Sequence, residues 1–149
     1  EVTAGAPIWP ANLAVADVEH PAGTVRVIGV VVRYDEKRAF IEGLPAVLEQ
    51  AVTDRTVLAG DFNYALPAGG LAARLEGALD AAGLRVVTAG PHEELGDERP
   101  LLDHIAASSA FEVSGLTVWP RRDFAYRNGE VEVSDHAGVI VSLRSRHGS

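Results

Sequence analysis

The chain has 149 residues, of which 47% are hydrophobic and 23% are charged, and its formal net charge is -8. These values indicate one folded domain with its own core. The acidic balance argues against a broad electrostatic surface for nucleic acid, because such binding depends on Lys and Arg neutralising phosphates. The absence of cysteine excludes disulfides, zinc–thiolate sites and a cysteine nucleophile. No apolar run approaches the ~20 residues that a membrane-spanning helix needs.

The first half of the chain alternates predicted strands and helices. Strands are predicted at Leu13 to Val18, Thr24 to Arg33 and Thr56 to Gly60. The second of these is a nearly continuous β-branched run, which predicts burial on both faces. A helix is predicted at Arg38 to Val52, with Asp35 as its N-cap and Pro45 as a kink or a break. A second helix is predicted at Leu71 to Ala82, and Gly83 closes it.

The second half is predicted to be mainly strands and loops. Strands are predicted at Leu84 to Thr88, Leu101 to Ala107, Phe111 to Val118 and Ala137 to Leu143. Between Gly90 and Pro100 the composition predicts an exposed connection, whose acids form a solvated cluster at Glu93, Glu94, Asp97 and Glu98. The stretch Tyr126-Arg127-Asn128-Gly129 is typical of a turn. No repeat or linker divides the chain.

The stretch Gly60-Asp61-Phe62-Asn63 ends a short apolar strand with a carboxylate and an amide two residues apart. In extended backbone, residues i and i+2 project to the same face, so Asp61 and Asn63 point together while Phe62 turns into the core. Carboxylate and amide oxygens suit a hard metal ion or an oriented water. Gly, Asp and Asn are also the usual turn residues, so a simple turn is the competing interpretation.

Other polar residues also lie where apolar strands begin or end. Asp103 falls at the start of one strand, and the pair Asp135-His136 directly precedes the last strand. A carboxylate beside a His can hold one ring nitrogen, and the His can then act as an acid, a base or a phosphate donor near neutral pH. An aromatic and basic stretch could grip a substrate backbone or form a solvated edge; it consists of Trp119, Arg121, Arg122, Tyr126 and Arg127.

Three motifs in register identify a family resemblance. They are Gly60-Asp61-Phe62-Asn63, Leu102-Asp103-His104-Ile105 and Ser134-Asp135-His136-Ala137-Gly138-Val139. In this order they resemble the carboxyl-terminal half of the endonuclease/exonuclease/phosphatase superfamily, over roughly Val25 to Leu143. The resemblance implies an α/β (α+β) fold: half of a four-layered α/β sandwich, with a mixed, mostly antiparallel sheet and two main helices on one face.

The resemblance also implies roles for individual residues. Asp61 would activate or orient the attacking water, and Asn63 would contact the scissile phosphate or stabilise the transition state. Asp103 would support metal or phosphate binding, and His136 would bind phosphate or serve as the base. Asp135 would orient His136 or, with Asp61, help to hold a Mg²⁺ or Mn²⁺ ion. Divalent cations of this kind neutralise charge that develops on phosphoryl oxygens.

Two features depart from the family pattern. Family members commonly carry a His at the end of the strand before the first helix, where this chain has Val31, Val32 and Arg33. Arg33 could bind phosphate as a bidentate donor, but it cannot exchange protons at neutral pH. The family's amino-terminal half has no counterpart before Glu1. We therefore expect residues 1–149 to form a single carboxyl-terminal domain that pairs with a missing half or self-associates, because a lone half would expose an apolar sheet face.

The function expected from this resemblance is divalent-metal-dependent hydrolysis of a phosphodiester by in-line attack of water. The substrate would be a phosphate ester, and nucleic acid is one candidate. Two alternatives stay open: a non-catalytic family member that acts as a binding or assembly module, and a small-molecule or lipid phosphatase. The sequence leaves the substrate, the metal, the oligomeric state and the cell compartment undecided.

Overall fold

The computed structural model describes residues 12–96, 100–120, 125, 126, 131, 132 and 135–146. The strands are β1 (Leu13–Val18), β2 (Val25–Val31), β3 (Thr56–Asp61), β4 (Leu84–Val86), β5 (Asp103–Ser108), β6 (Phe111–Trp119), β7 (Ala125–Tyr126), β8 (Val131–Glu132) and β9 (Gly138–Ser145). The helices are α1 (Lys37–Ala51) and α2 (Leu71–Ala81), and a short 3-10 helix spans Glu93–Leu95. Some predictions lie outside the described residues, namely those on Asp97, Glu98, Arg121, Arg122 and the turn residues 127–129.

The main sheet has five strands in the order β1-β2-β3-β5-β4. Strands β2 and β3 are parallel, and the other neighbouring pairs are antiparallel. Helix α1 forms the crossover between β2 and β3, as a parallel pair requires. The sheet is therefore mixed and mostly antiparallel, as the family resemblance implied.

The core lies between one face of this sheet and the two helices. A row of directly paired residues, Ile28, Leu58 and Ala106, runs across the three central strands on this face. The helices contribute buried residues at helical spacing, namely Ile41, Leu44, Leu48 and Ala51 from α1 and Ala72, Leu75 and Leu79 from α2. These side chains form one apolar cluster with the sheet. Burial of each large side chain contributes about 1.5–3 kcal/mol, so this cluster is the main source of stability.

The opposite face of the sheet is less well covered. Along β2, Ile28 and Val30 are buried, but Val31 is 51% exposed. The prediction that this run is buried on both faces is therefore wrong for its carboxyl end. A β-branched run favours a strand whatever covers it, whereas burial of the second face requires a second layer there.

The helix ends agree with the sequence in part. Helix α1 begins after Glu36, which occupies the N-cap position without a side-chain cap hydrogen bond, so the prediction of Asp35 as N-cap is wrong. The helix runs continuously from Lys37 to Ala51 through Pro45, and no break divides it. At the end of α2, Gly83 adopts a φ of 77° directly after the C-cap residue Ala82, which confirms its predicted role.

A second sheet pairs β6 with β9 in antiparallel fashion, with an irregularity between Val113 and Gly115. It adds a smaller apolar cluster, in which Leu95, Leu101 and Val118 are buried. This cluster lies beside the segment that leads into β5. In the described part of the chain, neither helix combines the length and apolar character needed to cross a bilayer.

Candidate active site

The two central antiparallel strands place two carboxylates side by side. Strand β3 ends at Asp61 and β5 begins at Asp103, and these two residues are direct partners in the strand pairing. Directly opposite residues of an antiparallel pair share a face, with Cβ atoms about 4.5–5.5 Å apart. Both aspartates are half-buried. The fold thus joins two acids that lie 42 positions apart in the sequence.

Gly60 allows β3 to approach β2 closely just before Asp61. It pairs with Val30 of β2 and adopts a φ of 148°, a backbone conformation that favours glycine. A Cβ atom at this position would overlap the carbonyl oxygen of Val30. Any larger residue would therefore push β2 and β3 apart and move Asp61 with them.

Asn63 and Asp61 hold one another in a tight loop. Asn63 has a φ of 52°, in the left-handed region that Asn tolerates better than most residues. Its backbone N–H donates to Asp61 Oδ1 over 2.7 Å, and its side-chain amide donates to Asp61 Oδ2 over 2.8 Å. The same amide nitrogen donates to the Val32 carbonyl over 3.0 Å. Both amide hydrogens are therefore engaged by the protein, and the Asp61 carboxylate has a fixed orientation.

His136 lies against Asp103, on the other side of the site. Its Nδ1 donates to Asp103 Oδ2 over 3.0 Å, which fixes the proton on Nδ1 because a carboxylate can only accept. Its Nε2 is 3.9 Å from Asp135 Oδ1, beyond hydrogen-bonding distance. The side chain of Asp135 is 80% exposed. The sequence assigned the orientation of His136 to Asp135, but in the structure this contact belongs to Asp103.

The surrounding charge favours the protonated form of His136. Burial lowers the pKa of His136, but the hydrogen bond to Asp103 and the charges of Asp103, Asp61 and Asp135 outweigh it and raise the pKa overall. The imidazole is thereby suited to carry positive charge or to donate a proton near neutral pH.

Asp61, Asp103 and His136 together form a group that suits a metal ion. One ligand atom from each lies within 4.8 Å of the others. Two carboxylates suit Mg²⁺ or Mn²⁺, which prefer oxygen ligands and retain several waters. Because Nδ1 of His136 is protonated toward Asp103, the two carboxylates are the better ligands. Asp135, predicted as a ligand with Asp61, is not a member of this group.

His104 is a buried histidine that contacts the loop after Asp61, and the sequence analysis assigned it no role. His104 is 1% exposed, and its Nε2 lies 2.9 Å from the carbonyl oxygen of Tyr64. A carbonyl only accepts, so Nε2 carries the proton and Nδ1 accepts from the Thr88 hydroxyl over 3.1 Å. Thr88 Oγ1 accepts in turn from the N–H of Ile105 over 2.9 Å. Burial lowers the pKa of His104 and outweighs the opposing hydrogen bond to Tyr64, which favours this neutral form.

A lysine that the sequence analysis also did not single out contacts the loop from α1. Lys37 Nζ donates to the carbonyl oxygen of Asn63 over 2.7 Å. Lys37 is the first residue of α1, so only the helix position brings it to this loop. Its place in a run of charged residues resembles an ordinary solvated helix start, and no local pattern distinguishes it.

The model of the "Endonuclease/Exonuclease/phosphatase family" matches residues 7–136. The chain belongs to this family. That description names endonucleases, exonucleases and phosphatases as the members of the family. No curated protein matches the chain significantly.

Two solved structures share the fold of this family member. The endonuclease domain of TRAS1, a telomere-specific non-LTR retrotransposon, aligns with a TM-score of 0.65 and 16% identity over 90% of this chain and 62% of its own. An endonuclease/exonuclease/phosphatase from Beutenbergia cavernae DSM 12333 aligns with a TM-score of 0.59 and 23% identity over 89% of this chain and 39% of its own. The chain therefore spans about three fifths of the first structure and two fifths of the second.

The guanidinium of Arg33, which was predicted to bind phosphate, contacts acids. It pairs with Asp35 over 3.1 Å and with Glu36 over 3.5 Å. Its side chain is 59% exposed. The predicted phosphate contact would require Arg33 to leave these two partners, which lie on the same short connection between β2 and α1.

Proposed function

We propose that this chain hydrolyses phosphodiester bonds with the help of a divalent metal ion, through in-line attack of water at the Asp61–Asp103 edge of the sheet. The observation that carries the proposal is the convergence of Asp61, Asp103 and His136 within 4.8 Å where β3 ends and β5 begins. Family membership supports the phosphoester chemistry. Phosphoryl transfer needs positioned groups and charge stabilisation more than covalent catalysis, and this set of residues provides both.

Asp61 is the proposed group that orients and deprotonates the attacking water. Its two oxygens accept from Asn63 and keep further lone pairs available, so the carboxylate can accept a proton without turning. Asn63 acts in this proposal first by holding Asp61. Contact between its amide and the phosphate would need one of its present hydrogen bonds to open.

His136 is the proposed contact to the phosphoryl oxygens. Nδ1 of His136 donates to Asp103, so the proposed contact with a substrate oxygen is made through Nε2. The raised pKa of His136 favours a cationic ring that stabilises negative charge or donates a proton. Asp103 is thus proposed to act twice, as the partner of His136 and as a metal ligand.

Asp61 and Asp103 are the proposed ligands of Mg²⁺ or Mn²⁺, and the exposed Asp135 would act through a bound water. Such an ion supplies positive charge that offsets the charge developing on the phosphoryl oxygens. The protein's contribution is to fix two carboxylates on neighbouring strands, so that little reorganisation accompanies binding.

We further propose that this domain corresponds to the carboxyl-terminal part of a family domain and that a further polypeptide half, or a second copy, covers its open sheet face. The 51% exposure of Val31 on a central strand supports this. The partial coverage of both solved structures agrees with it. Native mass spectrometry with Mg²⁺ tests it: a stable monomer of this chain alone would contradict the proposal.

The proposed activity is tested with bis(4-nitrophenyl) phosphate and an oligonucleotide, each with Mg²⁺ and with a chelator. We expect hydrolysis that the chelator abolishes, and a fall of about 10²- to 10⁴-fold in His136→Ala and Asp61→Ala. Val18→Ala is the matched control, because Val18 is 49% exposed and lies at the opposite end of β1 and β2. Hydrolysis that survives either site substitution would refute the assignment.

A further inference from the structure

Tyr34 is an aromatic ring presented to solvent beside the candidate site. It lies between β2 and α1 and is 81% exposed, more than any other exposed large hydrophobic residue in the described part of the chain. A single exposed aromatic is not unusual on a protein surface. What distinguishes Tyr34 is the contact on one side of its ring.

Lys37 connects this ring to the loop that carries Asp61. Its Nζ lies 4.3 Å from the ring centroid of Tyr34 and 4.4 Å from that of Tyr64, so the ammonium is held between two aromatic faces. The same nitrogen donates to the carbonyl oxygen of Asn63 over 2.7 Å. Cation–π contacts and a charge-assisted hydrogen bond therefore fix Tyr34 at the edge of the candidate site.

The other face of Tyr34 remains available to a ligand. Lys37 covers one face of the ring, and the large exposed fraction of Tyr34 leaves the outer face to solvent. The neighbouring acids Asp35 and Glu36 are paired with Arg33, so the local negative charge is partly compensated. A ring held in place, with one open face, is a stacking platform that loses little conformational freedom when a flat ligand binds.

From this geometry we propose that Tyr34, anchored by Lys37, is a stacking subsite for an unpaired nucleobase next to the scissile phosphate, so that the preferred substrate is single-stranded nucleic acid. The proposal rests on the proposed phosphodiester hydrolysis. Stacking also suits the net charge of -8, because a protein with few cations gains little from tracking a phosphate backbone. A base paired inside a duplex does not offer its face to Tyr34.

Binding is measured by fluorescence anisotropy in the presence of a chelator, so that no hydrolysis is required. The probes are a short single-stranded oligodeoxynucleotide, the same strand with abasic sugars, and the corresponding duplex. We expect the base-bearing strand to bind the wild-type protein about fivefold to a hundredfold more tightly than the abasic strand, from the usual effect of one stacked base. Tyr34→Ala should remove this preference, and Tyr34→Phe should keep it.

A kinetic measurement with Mg²⁺ separates the subsite from the chemistry. In Tyr34→Ala, KM for the oligonucleotide should rise by the same factor while kcat stays within about twofold, since stacking is used mainly for binding. Val18→Ala again serves as the exposed control. Absent hydrolysis of every substrate by the wild-type protein would refute the proposed function, whereas the anisotropy result stands apart from it.

Three outcomes would overturn the subsite. They are equal binding of the base-bearing and abasic strands, an unchanged preference in Tyr34→Ala, and tighter binding of the duplex than of the single strand. The last result would indicate readout of a duplex surface, and the first two would indicate a substrate recognised through its phosphate alone.

Discussion

The two ends of the β3–β5 pair carry polar residues in opposite arrangements. At one end, Asp61 and Asp103 are half-buried acids that lie directly opposite each other in the strand pairing. At the other end, Thr56 is fully buried and Ser108 nearly so. There the Ser108 hydroxyl accepts from the Thr56 N–H over 3.2 Å and donates to the Asp54 carbonyl over 2.7 Å.

The difference distinguishes polar groups that stabilise the fold from polar groups that are available to bind a ligand. A hydroxyl whose hydrogen bonds are satisfied by backbone groups costs little to bury. Like charges brought together raise the free energy of the folded state unless a cation joins them. The same two strands therefore have two kinds of polar end. Around Thr56 the polar groups are satisfied within the protein, which we call the closed end, and around Asp61 the carboxylates can still bind a cation, which we call the open end.

Asp103→Asn and Ser108→Ala test this contrast on a single strand. We expect Asp103→Asn to lower kcat about 10²- to 10⁴-fold, because the amide can neither balance the charge of His136 nor serve as an anionic metal ligand. Ser108→Ala should leave kcat within about twofold and lower the free energy of unfolding by about 1–3 kcal/mol, through the unsatisfied Thr56 N–H. Hydrolysis kinetics and urea unfolding measure the two effects.

The contrast would be wrong if Ser108→Ala lowered kcat and Asp103→Asn lowered only the stability. A large loss of kcat in Ser108→Ala, with a native unfolding curve, would show that the closed end takes part in catalysis. Without metal, Asp103→Asn is expected to change the free energy of unfolding by no more than about 1 kcal/mol, because it removes one of two facing negative charges but also weakens the hydrogen bond to His136. Unfolding with a chelator measures this directly.

His104 is a buried residue whose satisfied hydrogen bonds stabilise the loop after Asp61, so it affects both stability and the candidate site. His104→Phe should lower the free energy of unfolding by about 1–3 kcal/mol, since it leaves the Tyr64 carbonyl and the Thr88 hydroxyl without their partner. It should also lower kcat, through a looser loop at Asn63. His104→Gln keeps one donor and one acceptor, so it should restore kcat more than stability; equal kcat in the Phe and Gln variants would contradict a positioning role.

The smallest expected effect concerns an exposed ion pair at the closed end. Arg26, which pairs with Thr56 across β2 and β3, donates to Asp17 over 2.7 Å and 2.8 Å. This hydrogen bond lowers the pKa of Asp17 below 3.8. The contribution to stability is therefore complete above pH 3.8 and is lost as the pH falls through the lowered value. Exposed pairs contribute about 0–1 kcal/mol.

The measurement for this pair is urea unfolding of the wild-type protein and Asp17→Asn over a range of acidic pH. The difference between the two should be small above pH 3.8 and should shrink further below it. A difference that grows with acidity would mean that Asp17 is not the group whose pKa is lowered.

Much of the fold could be predicted from the sequence, because local patterns decide it. The strand Leu13–Val18 was predicted with the observed bounds, and the β-branched run and the helical spacing each gave elements close to those seen. Gly83 was identified as a helix end because its conformation is a local matter. The exposure of Val31 was missed, since it depends on what lies over the sheet and not on the strand itself.

The candidate site could be predicted as a set of residues but not as a set of contacts. Each of Asp61, Asp103 and His136 stands at the end of an apolar run, which made it visible in the sequence. That Asp103 rather than Asp135 holds His136 follows from strand register, which the sequence does not show. The contribution of Lys37 was also hidden, because it depends on how α1 packs beside the loop.

The close approach at Gly60 has a consequence for reading mutational tolerance. In a library of all single substitutions selected for activity, position 60 should be as depleted as position 61, although glycine has no side chain to contribute. The two positions would differ in abundance of soluble protein, because overlap with the Val30 carbonyl impairs folding more than exchange of the Asp61 carboxylate does. Substitutions at Gly60 would therefore be rejected because there is no room for a side chain, and substitutions at Asp61 because the carboxylate is needed for activity.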